Sequence, residues 1–171
     1  MSSKFGPLMQ NGFVVRDWRM AAQHWVDVLG VGPFFVMEHL AFTSCEYRGV
    51  ATPIDMTVAI AYSGEQQIEL VQQHNDAPSI YRDFLESSGE GLQHMGVLTE
   101  NLDESLHAHA LEARVVQRGL TARGQRFAYV DTVLHHGMML ELIETNAAMV
   151  SAFAHMKNIA QSWNGERPIR I

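Results

Sequence analysis

Short runs of apolar, β-branched and aromatic residues alternate along this chain with segments whose apolar positions recur every three or four residues, and the order of the two patterns repeats. Residues 9–15 read as a strand and Asp17 as a helix N-cap. The helix spans 18–29 with Trp18, Ala21, Ala22, Trp25 and Leu29 on one face, and Gly30 and Gly32-Pro33 stop it. Strand-like runs follow at 34–40, at 44–48 with a continuation, and at 55–62; the turn Ser63-Gly64-Glu65 leads into another at 66–72. A connecting helix over 79–86, behind Pro78, has Ile80, Phe84 and Leu85 as its buried side, and Ser88-Gly89-Glu90-Gly91 is a joint. The second half repeats the order: a strand at 93–99, a helix over 102–113 with Leu106 and Ala110 inward, strands at 114–120 and 126–131, a turn at His135-His136-Gly137 and a strand at 138–143. In the tail, 147–163, Met149, Phe153, Met156, Ala160 and Trp163 form the apolar stripe of one more helix.

Superposing the halves places Gln10 on His94, Gly12 on Gly96, Val14 on Leu98, Asp17 on Asn101 and Glu69 on Glu141. The chain therefore reads as two β-α-β-β-β units, residues 1–89 with the connecting helix and 90–171 with the C-terminal helix. Strand side chains alternate faces, so Gln10 and Gly12 share a face, as do His94 and Gly96. Glu69 and Glu141 each interrupt an apolar strand, Gln67-Ile-Glu-Leu-Val and Met139-Leu-Glu-Leu-Ile, with no Lys or Arg on those strands to neutralise them. A carboxylate on an apolar face is costly to desolvate unless it is paired or bound to metal. If these faces line one concave sheet, the four polar groups converge, and a divalent cation would neutralise both carboxylates. One imidazole, one amide and two carboxylates suit Zn, Ni, Co, Mn or Fe and leave positions for water or substrate. The other reading of each is ordinary: a solvent-facing Glu, a hydrogen-bonded His, a Gln bonded to backbone.

Composition narrows the partners. The 171 residues are 47% hydrophobic and 18% charged, the range of a soluble globular unit. A formal charge of -7, with Lys and Arg scattered, argues against a nucleic-acid groove. No basic region followed by an apolar stretch opens the chain, and no apolar run approaches the roughly 18 residues of a membrane span, which points to a cytoplasmic protein. The one cysteine, Cys45, excludes an internal disulfide, fits a reducing compartment and reads as a packing residue. His107 and His109 point apart on their helix, His24 and His155 read as structural, and His74 has no role. The loop residues His135 and His136 are either solvated or in contact with substrate. Arg16, Arg48 and Arg123 are surface cations, or hold a phosphate or carboxylate.

The opening strand Gln10-Asn-Gly-Phe-Val-Val-Arg-Asp17, the strand Ile68-Glu69-Leu70, the segment Gly91-Leu-Gln-His94-Met-Gly96 and the ending Leu140-Glu141-Leu-Ile-Glu144 together resemble the vicinal oxygen chelate superfamily. That superfamily includes glyoxalase I, methylmalonyl-CoA epimerase, extradiol dioxygenases and bleomycin-resistance proteins. The resemblance covers residues 9–145 and implies an α+β fold, two βαβββ modules forming a curved mixed sheet around a metal cleft, plus a C-terminal helix. It maps the metal ligands onto Gln10, Glu69, His94 and Glu141, a set similar to that of eukaryotic-type glyoxalase I. The stretch from Ile68 to Val97 looks more like the epimerase, which usually has His at the position of Gln10 and Gln at that of Glu69. Extradiol dioxygenases use two His and one Glu, so Gln10 speaks against oxygenase chemistry. The resemblance implies a lyase or isomerase that abstracts a proton next to a carbonyl through a metal-stabilised enolate, with Glu141 as base and Glu69 as a second candidate. Its substrate would be a small thioester or oxo-compound, and its partner a second copy in a homodimer. The alternatives are a small-molecule binding protein of the bleomycin-resistance kind, or a metal-dependent dioxygenase.

Overall fold

A computed structural model describes residues 5–132 and 138–171. The first half comprises β1 (Gln10–Val14), α1 (Trp18–Leu29), β2 (Phe34–Met37), β3 (Phe42–Tyr47), β4 (Val50–Ala51), β5 (Met56–Ser63) and β6 (Gln66–Gln73). After α2 (Ile80–Ser88) come β7 (Gly91–Thr99), α3 (Leu102–Ala108), a 3-10 turn (Glu112–Arg114), β8 (Val115–Thr121), β9 (Arg126–Asp131) and β10 (Met139–Glu144). The chain ends with α4 (Ala147–Gln161) and β11 (Ile169–Arg170). This is the α+β architecture that the family resemblance implies. Each α-helix starts on a capping side chain: Asp17, Ser79, Asn101 and Asn146 accept from the backbone N–H three residues on. Gly30 ends α1 at φ 64°, where only glycine is unstrained.

The strands form one sheet in the order β11-β2-β5-β6-β1-β7-β10-β9-β8-β3-β4. Its centre is the antiparallel pair β1/β7, flanked by the parallel neighbours β6 and β10. Alternation along the strands separates two faces. One carries Leu70, Ile68, Ala59 and Phe34 against Trp18 and Ala22 of α1, and Val97, Ala128 and Leu142 against Leu102 and Leu106 of α3. Each large aliphatic or aromatic side chain so buried contributes about 1.5–3 kcal/mol of hydrophobic stabilisation. The other face carries Val58, Ile60, Val71, Phe127 and Tyr129, with α2 and α4 packed toward it. The candidate site residues Gln10, Glu69 and Glu141 sit on this second face.

Three features depart from the sequence pattern. β3 pairs with β8 on one side and with the short β4 on the other, so the first half supplies an edge of the second. α3 stops at Ala108, and Ala110, expected inward, is exposed in a turn at φ 53° where Leu111 N–H donates to Leu106 O. Trp163 lies beyond α4 and packs over Gly32, where a Cβ would come within 2.7 Å of its ring. The turn expected at His135-His136-Gly137 lies outside the described residues.

Candidate metal centre

Gln10, Glu69, His94 and Glu141 come from the four adjacent central strands β1, β6, β7 and β10, and strand register explains their meeting. Gly12 stands opposite both Glu69 and His94, and Gly96 opposite both Gln10 and Glu141. Each row across the sheet thus has a glycine between two polar residues, and the side chains lean into the space above it. A Cβ on Gly12 would lie 1.9 Å from His94 Nε2, and one on Gly96 would lie 2.2 Å from Gln10 Oε1. All four side chains are enclosed, at 2% (Gln10), 8% (Glu69), 0% (His94) and 6% (Glu141) relative exposure.

His94 Nε2 is 3.1 Å from Glu69 Oε2 and 3.5 Å from Glu141 Oε2. Donors held about 2.1 Å from one ion at tetrahedral or octahedral angles stand roughly 3.0–3.4 Å apart, so the spacing fits a cation. One ligand atom each from Glu69, His94 and Glu141 lies within 4.8 Å of the others. Gln10 fits as a fourth donor. Its Nε2 donates to Gln67 Oε1 at 2.9 Å, and Gln67 Nε2 donates in turn to Tyr62 at 2.7 Å. This leaves Gln10 Oε1, like Glu141 Oε2, buried with no hydrogen-bond partner. Such an orphaned acceptor costs about 1–3 kcal/mol, a cost that a cation would remove.

The sequence pattern misses the groups that orient this set. Gln93 Oε1 is 2.7 Å from His94 Nδ1, the geometry of an Nδ1–H donor, which turns the lone pair of Nε2 toward the carboxylates. Alternation would put Gln93 on the opposite face. A register shift at this point, where Gly12 pairs with His94 but Phe13 with Leu92, re-aims it. Tyr81 OH donates to Tyr129 OH at 2.9 Å, and Tyr129 hydrogen-bonds Glu141. No periodicity marks these tyrosines as belonging to the site. Other singled-out residues do not join it: His74 bonds Thr57 at 2.7 Å, His107 pairs with Glu112 at 2.9 Å, Arg48 pairs with Asp83 at 3.2 Å, and Cys45 is buried with its thiol pushed up to about 11 by burial. Replacing Gln93 with Leu is expected to weaken metal affinity by about 10–100-fold, with little change in the far-UV circular dichroism of the metal-free protein; titration with manganese measures it.

Above the centre lies a cavity of about 200 Å³. Gln10, Glu69 and Glu141 form its floor, while Met56, Val58 and Phe127 are among its apolar walls. Met149, Phe153 and Met156 of α4 form its roof.

Residues 9–129 match the family model described as the Glyoxalase/Bleomycin resistance protein/Dioxygenase superfamily. The chain belongs to this superfamily. Superfamily members use divalent metals, and three of the four candidate ligands fall inside the matched span, with Glu141 beyond it. Methylmalonyl-CoA epimerase from Mycobacterium tuberculosis is similar in structure, with a TM-score of 0.58 at 19% identity, covering 88% of this chain and 95% of that one. A hypothetical protein from Bacillus halodurans C-125 has a TM-score of 0.58 at 18% identity, over 82% of this chain and 94% of its own. A Streptomyces coelicolor methylmalonyl-CoA epimerase variant in complex with 2-nitronate-propionyl-CoA has a TM-score of 0.57 at 16% identity, over 84% and 97%. These likenesses show the superfamily fold. No curated protein is significantly similar in sequence.

Electrostatics give the metal-free protein a definite pH dependence. Burial, then the charge of Glu69, pushes the Glu141 carboxyl up to about 7, against the opposing pull of His94 and the Tyr129 hydroxyl. Burial pulls the His94 imidazole down, but its hydrogen bond to Glu69 and the charges of Glu141 and Glu69 raise it overall. A raised group stabilises the fold below its unfolded value, and that contribution is lost as pH rises through the folded value. For Glu141 this window runs from 4.5 to about 7, and for His94 it lies above 6.5. The metal-free Tm is therefore expected to fall by several °C as pH rises from about 4.5 to about 7, at about 2–4 °C per kcal/mol. A cation displaces the same protons, so the Tm gain on adding manganese grows over that range. A calorimetric pH series checks both slopes.

Proposed function

We propose that this chain is a metal-dependent lyase or isomerase that moves a proton at the carbon next to a carbonyl, on a small thioester or oxo-compound. The observation that carries this reading is the Gln10, Glu69, His94 and Glu141 constellation, with its two orphaned oxygens, at the floor of an apolar cavity. Gln10, Glu69, His94 and Glu141 would hold a divalent cation, which when bound supplies a Lewis acid for a carbonyl oxygen.

Glu141 is the base. Its carboxylate lines the cavity at the floor that would receive the carbonyl, where a positioned base can accept and return a proton. It takes the proton from the carbon beside the carbonyl; a proton is then supplied to the other face of that carbon by a donor on that side, for which Glu69 is the candidate, or returned by Glu141 to the neighbouring carbon. The former is epimerisation; the latter is the glyoxalase-type rearrangement. Tyr129, held by Tyr81, fixes the direction of the Glu141 carboxylate. Glu69 is the second candidate, because it lines the same floor. The apolar walls keep water from competing for the proton.

Stoichiometric metal in protein purified without chelator supports the reading, and deuterium entering a 2-methyl acyl-thioester or a hemithioacetal from solvent identifies the reaction. Absence of bound metal, with tight retention of an aromatic compound in the cavity, would instead favour the bleomycin-resistance kind of binding protein.

A further inference from the structure

The cavity has a charged end far from its floor. Tyr129 stands opposite Glu141 in the β9/β10 pair, and Tyr129, Phe127 and Gln125 all line the cavity at alternate positions. From Tyr129 to Gln125 is four residues, roughly 13 Å at the rise of a strand. At that end the turn closed by Thr121 N–H to Gln125 O at 2.9 Å brings exposed Arg123 to the rim. Between the two ends the lining is apolar, with Met37, Val58, Phe127, Ile143 and Phe153.

Among the described residues, Arg123 is the sole cation lining the cavity, and it makes none of the ion pairs that occupy Arg19, Arg48, Arg82 and Arg126. In a chain of formal charge -7, an unengaged guanidinium at the mouth of a cavity floored by two carboxylates gives an approaching anion a local attraction that the rest of the surface denies it. At the other end, Gln10 Oε1 and Glu141 Oε2 are buried without a hydrogen bond, and Gln10 and Glu141 are part of the floor. The volume of about 200 Å³ suits a ring-sized body, since an engineered apolar cavity of about 150 Å³ admits benzene. A polyphosphate nucleotide calls for several cations, and this rim offers one.

We propose that the cavity takes an elongated, predominantly apolar carbonyl compound bearing a single anionic group at its far end, with the carbonyl at the Gln10/Glu141 floor and the anion on Arg123. This rests on the proton-transfer reading for which end lies at the floor. The length and charge of the ligand come from the cavity itself.

The test is isothermal titration of the full chain loaded with manganese, using 4-(3-oxobutyl)benzoate and its methyl ester as probes. The acid is expected to bind about tenfold or more tightly than the ester, the worth of one hydrogen-bonded charge. Arg123→Gln should erase that preference while leaving the ester's Kd and the protein's Tm unchanged. Arg118→Gln, away from the cavity lining, should leave the preference intact. Equal affinity for acid and ester in the native protein, a preference that survives Arg123→Gln, or binding of neither probe overturns the proposal. Tighter binding of propionyl-CoA than of the benzoate also overturns it. Failure of the proton-transfer reading shows separately, as absent deuterium exchange with the acid-over-ester preference still present.

Discussion

Glu141→Gln is expected to reduce deuterium exchange into a competent substrate by at least about 10³-fold while leaving the fold intact. A positioned base contributes roughly 10²–10⁴ in rate, and this substitution also removes a charged donor from the candidate metal centre. The amide matches the carboxyl in size and resembles its protonated form. Because burial and Glu69 hold the Glu141 carboxyl up to about 7, the native metal-free protein already carries that neutral form about half the time at neutral pH. The metal-free Tm of the variant should therefore equal or exceed that of the native protein above pH 7. Full exchange activity in Glu141→Gln would transfer the role of base to Glu69.

Gly12→Ala is expected to destroy metal binding and to lower the Tm by about 5 °C or more. The new Cβ would lie 1.9 Å from His94 Cε1 and Nε2. A ring in this position could yield only by rotating, yet His94 is fully buried and tied at Nδ1 to Gln93 at 2.7 Å. Overpacking of this kind costs typically 1–3 kcal/mol, and about 2–4 °C of Tm accompanies each kcal/mol. Gly49→Ala is the matched control. There φ is 77° and nothing lies within 4 Å of the methyl that alanine would add, so the chain loses backbone ease but keeps the site. If manganese raises the Tm of Gly12→Ala as much as that of the native protein, the glycine cradle has no part in ligand placement.

The apolar roof connects the two ends of the site. α4 follows directly on β10, which carries Glu141, and its Asn146 cap holds the helix start beside the cavity. Lys157 pairs with Glu65 at 2.5 Å, and Trp163 packs over Gly32, so the tail is anchored to the first half of the chain. An amphipathic stripe legible in sequence as Met149, Phe153 and Met156 thus covers the chain's own cavity.

The sequence by itself determined the order of strands and helices, the internal repeat and the four polar residues at its matching positions. It could do so because helical and strand periodicities, capping residues and glycine stops are local signals, and because a carboxylate within an apolar strand stands out against its neighbours. Only the tertiary structure decided how the repeat is assembled. The crossing of β3 to pair with β8, the two-residue strand β11 on β2 and the turn that ends α3 early depend on long-range or strained backbone that no periodicity encodes. The same holds for the groups that aim the site. Gln93 reaches His94 through a register shift, Tyr81 reaches Tyr129 from a helix 48 residues away in sequence, and Arg123 becomes a cavity residue only once its turn closes beside the apolar wall. Gly12 and Gly96 were visible as repeated letters, but their reason is steric: each sits between two polar side chains in one row of the sheet, and only an absent Cβ leaves them room to converge.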